Sequence, residues 1–147
     1  MSPGKTTISS IFFLLTAILL VGCDRGPAMG SVSGTVTLDG EPLKFGSVMF
    51  QNVAGGQPSR AQIQPDGRFV LSTFSPEDGA VVGSYRVRVM CYSSQDPAVG
   101  PTAGDSLGNL LIPERYTSFG ASGLSYEIKE GDNSPIDIEL TKQPQRR

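Results

Sequence analysis

The sequence predicts an all-β protein, a single antiparallel β-sandwich of about seven strands preceded by a signal peptide. Three observations carry that expectation. Short runs alternate apolar and polar residues through most of the chain from Ser31 onward. Turn formers punctuate the runs, with 18 Gly and 11 Pro in 147 residues. No segment after residue 30 places apolar side chains at helical spacing over three turns. Alternation with period two puts successive side chains on opposite faces, so each run buries one face and leaves the other in water.

The strands follow in order. Val32, Gly34, Val36 and Leu38 alternate with Ser31, Ser33, Thr35 and Thr37 in the first. Asp39-Gly40-Glu41-Pro42 is turn chemistry, Asp-Gly being a strong hairpin signal. Phe45 to Phe50 forms the second, with Val48 and Phe50 inward and Met49 outward. Ala61 and Ile63 alternate with Arg60, Gln62 and Gln64 in the third, and after Pro65-Asp66-Gly67 the fourth carries Phe69 and Leu71. The clearest strand sets Tyr85, Val87, Val89 and Cys91 on one face and Arg86, Arg88, Met90 and Tyr92 on the other. Leu124, Tyr126 and Ile128 make a sixth, and Ile136, Ile138 and Leu140 close the domain after the turn Glu130-Gly131-Asp132-Asn133. The stretch 93–122 is too long for an ordinary connection, and loops of that length tend to be functional.

The N-terminus has a different character. Lys5 and the free amine precede Ile11 to Val21, eleven almost wholly apolar residues. That length fits the apolar region of an export signal and falls short of the roughly 20 residues that span a bilayer. The run ends Leu20-Val21-Gly22-Cys23, which resembles the lipobox of bacterial lipoproteins. The resemblance implies cleavage after residue 22 and a diacylglyceryl thioether on Cys23, and two acyl chains hold a protein stably at a membrane. Inner and outer membrane both stay open, although Asp24 favours inner-membrane retention in some enteric bacteria. The expected layout is therefore a signal peptide at 1–22, a lipid-anchored tether at 23–30, a sandwich domain at 31–141 containing the long loop 93–122, and a tail at 142–147.

A second resemblance covers about forty residues. Ser33-Gly34-Thr35-Val36-Thr37-Leu38-Asp39-Gly40-Glu41-Pro42-Leu43, then Gly46-Ser47-Val48-Met49-Phe50, then Asp66-Gly67-Arg68-Phe69-Val70-Leu71, is similar to the carboxypeptidase regulatory-like domain. That resemblance implies a transthyretin-like (prealbumin-like) sandwich with Ig-like architecture. The whole layout, including Leu111-Ile112-Pro113-Glu114-Arg115-Tyr116 and Ser122-Gly123-Leu124, also resembles small lipoproteins of planctomycete-type bacteria. For that group the resemblance implies a fold and an envelope location without an activity.

Composition narrows the function. The formal charge is −2, from 12 Lys+Arg against 14 Asp+Glu, and losing Lys5 with the signal makes it −3. That balance argues against nucleic acid as a partner. The chain has no histidine, which removes histidine-based triads and the commonest general acid and base. It also separates the chain from transthyretin-related hydrolases, whose chemistry relies on histidines. Gly104-Asp105-Ser106-Leu107 spells the nucleophile block of the GDSL esterases, but a serine without a histidine base is a loop residue. Cys91 shares a face with core residues and is expected to be core; with Cys23 acylated, no internal disulfide is expected. Glu77-Asp78 and the Glu130/Asp132 pair flank glycines and read as turns rather than calcium ligands. Arg86 and Arg88 are expected to pair with Glu127 or Glu139 on neighbouring strands. The loop block Ile112-Pro113-Glu114-Arg115-Tyr116 is expected to fold back against the sandwich edge. The alternative is a contact surface, with Arg115, Tyr116 and Tyr92 the candidate interaction surface, because arginine and aromatics are over-represented where partners bind.

These readings describe a membrane-anchored, non-enzymatic binding or structural module of the cell envelope, with no cofactor or metal. Its partner would be another envelope protein or a polymer. A carbohydrate- or polymer-binding lipoprotein is the alternative.

Overall fold

A computed structural model describes residues 26–99 and 106–143. The expected signal peptide at 1–22 and Cys23 lie outside the described residues. Eleven strands are present among the described residues: β1 (Met29–Ser31), β2 (Ser33–Leu38), β3 (Glu41–Pro42), β4 (Ser47–Asn52), β5 (Ser59–Gln62), β6 (Arg68–Val70), β7 (Ala80–Val81), β8 (Gly83–Met90), β9 (Leu124–Ile128), β10 (Gly131–Asp132) and β11 (Ile136–Leu140). Seven of them are the strands that period-two alternation predicts; β1, β3, β7 and β10 are added pieces of two or three residues.

One layer of the sandwich is the sheet β5-β4-β8-β9, antiparallel throughout. The other is built around the β1–β2 line. β10 and β11 flank it on one side, while β7, β6 and β3 flank it on the other. The all-β sandwich stands as the alternation predicts. Two pairings run parallel, however: β11 with β2 and β10 with β1. Side-chain alternation says which face is buried and carries no information on strand direction. A parallel neighbour needs a long crossover, and here the rest of the sandwich supplies it.

The two layers meet at Phe50. This β4 side chain lies 6.1 Å, centroid to centroid, from Phe69 on β6, in the opposite layer. It lies 6.1 Å from Tyr85 and 6.0 Å from Tyr126 in its own layer. Tilted or stacked aromatic pairs at such distances each contribute about 0.5–1.5 kcal/mol beyond area burial. Val32, Val36, Leu71, Val87, Val89, Ile128, Ile138 and Leu140 complete a core almost without solvent contact. Cys91 belongs to it as the sequence suggests, buried and unbridged.

Local chemistry places the turns. Asp39 and Gly40 both take positive φ, 52° and 86°, the conformation a tight two-residue hairpin requires. The domain also begins earlier than expected. Met29 and Gly30, assigned by sequence to the tether, form β1, and Gly30 is buried beneath the Lys129 carbonyl. A glycine and a methionine within a Gly/Pro-rich stretch give no alternation to read.

Segment 93–122 is not a free-standing loop over its described residues. Tyr92 pairs with Leu110, Ser93–Gln95 and Glu114–Thr117 form 3₁₀ turns, and Ile112 and Tyr116 enter the core. Ser122 is buried, and its hydroxyl donates to the Val87 carbonyl at 2.6 Å.

Candidate functional site

The β5–β6 hairpin crosses the edge of the sandwich from one layer to the other. Its turn is closed by two backbone bonds, Gly67 N–H to the Gln64 carbonyl and Gln64 N–H to the Arg68 carbonyl, each 2.8 Å. The Asp66 carboxylate accepts the Arg68 N–H at 3.1 Å. Farther from the turn Arg60 pairs with Ser72, which sets Gln62 opposite Val70 and Gln64 opposite Arg68. Alternation buries Ala61, Ile63, Phe69 and Leu71. It leaves Arg60, Gln62, Gln64, Arg68 and Val70 exposed on the other face, with Ser72 half-buried among them.

Those residues line a cleft of about 590 Å³, closed on one side by Pro76 and Glu77. The loop that carries Pro76 and Glu77 is fixed by Asp78. Its carboxylate accepts backbone N–H groups of Thr73 at 2.6 Å, Phe74 at 2.9 Å and Ser75 at 2.8 Å. Burial alone raises the Asp78 pKa, but the backbone N–H donors of the loop outweigh it and hold the carboxyl below its usual value. The cleft thus combines two guanidinium groups, two side-chain amides, a hydroxyl and one carboxylate on a rigid hairpin. Such groups can bind and orient a polar ligand.

The residues singled out from sequence fall elsewhere. Tyr116 is buried, 2% exposed, so its ring packs back against the sandwich and is not part of an exposed surface. Its hydroxyl accepts the Thr141 N–H at 3.0 Å and an Arg115 N–H at 3.2 Å. Burial would raise the phenol pKa, yet these bonds and the Arg115 charge lower it. Arg115 stacks on the Tyr116 ring at 4.5 Å and reaches the carbonyls of Thr141 and Gln143. Both residues therefore clamp the chain just after β11. Tyr92 is half-buried, and its N–H donates to the Gln95 side chain at 2.8 Å. The three do not form one exposed patch.

The expected pairing of Arg86 and Arg88 with Glu127 or Glu139 is corrected. Among the described residues the ion pair formed is Lys142 with Asp39, at 4.0 Å. Arg88 instead donates to the Met49 sulfur at 3.4 Å and lies 4.9 Å from the centroid of the Phe119 ring. Its neighbour across the strand is Met49, and Glu139 sits in the other layer.

Family models, curated proteins and solved structures yield no match to this chain. Cys91 is buried, and burial, with the nearby Asp96 charge, pushes its thiol from 9.0 to about 11, which disfavours the reactive thiolate at neutral pH. Ser106 is exposed, and its hydroxyl accepts the Gly108 N–H at 3.2 Å, a turn contact. Among the described residues no cluster of three or more acidic or cysteine side chains stands where a metal ion is held. No described helix is long and apolar enough to cross a membrane.

The Arg60/Arg68 cleft was not singled out from sequence, although the signal is there. Arg60, Gln62 and Gln64 alternate outward, and Arg68 follows the Pro65-Asp66-Gly67 turn at once. Pairing the two strands across that turn brings all four to one face.

Proposed function

We propose that this chain is an exported cell-envelope lipoprotein, anchored through Cys23, whose sandwich acts as a non-catalytic binding module. The observation that carries the reading is the sequence Leu20-Val21-Gly22-Cys23 closing an eleven-residue apolar run, with the folded domain starting at Met29, six residues after the cysteine. Acylation at Cys23 would hold the sandwich beside the membrane on a tether of residues 24–28. The lack of histidine throughout the chain supports a binding role over a catalytic one. The all-strand architecture accords with the carboxypeptidase regulatory-like resemblance, which supplies a scaffold and no activity of its own.

The test is labelling of the expressed protein with a radioactive or clickable fatty acid, followed by mass spectrometry of the N-terminal peptide. The wild type should carry lipid on residue 23 and fractionate with membranes. Cys23→Ser should take up no label and accumulate as precursor. Label that persists in Cys23→Ser, or a mature N-terminus elsewhere, overturns the anchor. Crosslinked pull-down from intact envelopes tests the binding role: the module should recover a specific envelope protein or polymer, and recovery of neither overturns it.

Polymer binding is the second reading, and the open cleft on the β5–β6 hairpin favours it.

A further inference from the structure

We infer that the β5–β6 cleft binds an acidic polysaccharide, a sugar chain bearing carboxylates, through Arg60 and Arg68. The inference rests on the binding-module reading and does not depend on the lipid anchor.

The first argument is charge. The described residues hold eight Lys and Arg against twelve Asp and Glu. Even so, Arg60 and Arg68 lie on one face of one hairpin, and the exposed Arg86 stands on β8, two strands from β5 in the same sheet. Among the described residues neither Arg60 nor Arg68 has a carboxylate within 4.0 Å. Cations gathered on one face of a net-acidic domain, and not neutralised there, are complementary to an anionic ligand. Guanidinium groups meet carboxylates through paired N–H donors.

The second argument is the mixture of groups between the two arginines. Gln62 and Gln64 each offer both a donor and an acceptor, Ser72 adds a hydroxyl, and Glu77 accepts only. A polyphosphate, which has acceptors and no donors at neutral pH, has nothing to donate to the amide oxygens or to Glu77, which would keep water instead. Sugar hydroxyls donate as well as accept, so they satisfy both kinds of group. Val70, 43% exposed, and Pro76 offer apolar surface for the C–H face of a sugar ring.

The third argument is shape. Arg68 lies opposite Gln64, four residues along the hairpin from Arg60, a separation of roughly 13 Å at strand rise. The cleft between them is an open strip along a hairpin, which admits an extended chain. Small-molecule sites, in contrast, enclose most of the ligand. A polymer also presents its charge repeatedly, so modest contacts at one strip add through effective concentration.

The full-length protein in non-ionic detergent should be run over immobilised polygalacturonate, dextran and polyphosphate. The expected result is salt-sensitive retention on polygalacturonate alone. Arg60→Gln with Arg68→Gln should weaken that retention by about tenfold or more, the loss expected for charge-assisted hydrogen bonds. Lys44→Gln, the same kind of charge removal at a residue that does not line the cleft, should bind as wild type, and circular dichroism should show all variants folded. Equal retention on polyphosphate would mean that charge alone is read, and it would overturn the inference. So would retention on dextran, no retention on any column, or a double variant that binds like wild type. The pull-down from envelopes reads the binding module independently of these columns, so a failed cleft and a failed module are distinguishable.

Discussion

The phenolic oxygen of Tyr116 accepts the backbone N–H of Thr141 at 3.0 Å, fastening the residue after the last strand to the later part of the long 93–122 segment. Among the described residues β11 is an edge strand whose sole partner in its sheet is β2, so its C-terminal end would otherwise fray. Tyr116→Phe keeps the ring in the core and removes the acceptor. The expected loss is about 1–2 kcal/mol, the cost of leaving a backbone donor and Arg115 without that oxygen. Tyr116→Ala also vacates the ring site and should cost about 3–5 kcal/mol. Urea denaturation of both variants checks this. A phenylalanine variant as stable as wild type would show that the hydroxyl does not fasten the end.

The same tyrosine shows where the sequence was legible and where it was not. Alternation in 85–91 named a buried face, and Tyr85, Val87, Val89 and Cys91 occupy it. The Asp39-Gly40 turn was readable because its backbone needs a left-handed pair of residues. Tyr116 had no periodic neighbours to say which side of it faced the core, so its sequence left both packing against the sandwich edge and a contact surface open. The Arg60/Arg68 cleft depends on how two strands pair across a turn, and single-strand alternation does not state that. The parallel β2–β11 pairing joins residues more than a hundred positions apart, beyond the reach of any local pattern.

Cys91 should be silent to thiol reagents in the folded protein and reactive once unfolded. Burial is the main cause of its raised pKa, with Asp96 adding to it. The folded state holds the thiol proton up to about pH 11, whereas an exposed thiol releases it near 9.0. The stability linked to this group is therefore complete below pH 9 and falls as pH rises through that window. Tyr126, also raised by burial and by Asp137 and Glu139, contributes in the same direction. Comparison of wild type with Cys91→Val isolates the thiol, since the variant should lose less stability between pH 8 and pH 11. Equal slopes would place the thiol in contact with water.

Asp78 works in the opposite sense. Its folded pKa is depressed, so its contribution is present above the ordinary carboxyl value of 3.8 and disappears as pH falls through the lower folded one. Asp78→Asn leaves one oxygen to serve three backbone N–H groups and should cost about 1 kcal/mol at neutral pH. The gap between variant and wild type should close in acid as the wild-type carboxyl is protonated. Thermal melts at pH 7 and below pH 3 measure this. The loop holding Pro76 and Glu77 against the cleft should loosen too, raising amide exchange at Thr73, Phe74 and Ser75. A gap that persists unchanged in acid would show that the carboxylate charge has no part in holding the loop.

Gly34 offers a test of the register between β2 and β11. A Cβ there would collide with the Ile136 carbonyl oxygen and lie 2.8 Å from the Phe69 ring. The obstacle is backbone of a paired strand, which cannot swing aside as a side-chain tip can. Gly34→Ala should therefore cost about 3 kcal/mol or more, through overpacking and a displaced β11. Gly40 is the comparison: nothing lies within 4 Å of its Cβ position, and only its φ of 86° opposes substitution. Gly40→Ala should cost about 1–2 kcal/mol, the conformational penalty alone. The ordering of the two, read by chemical denaturation, is the decisive quantity. If Gly34→Ala proves no worse than Gly40→Ala, the last strand does not pass where the parallel pairing puts it.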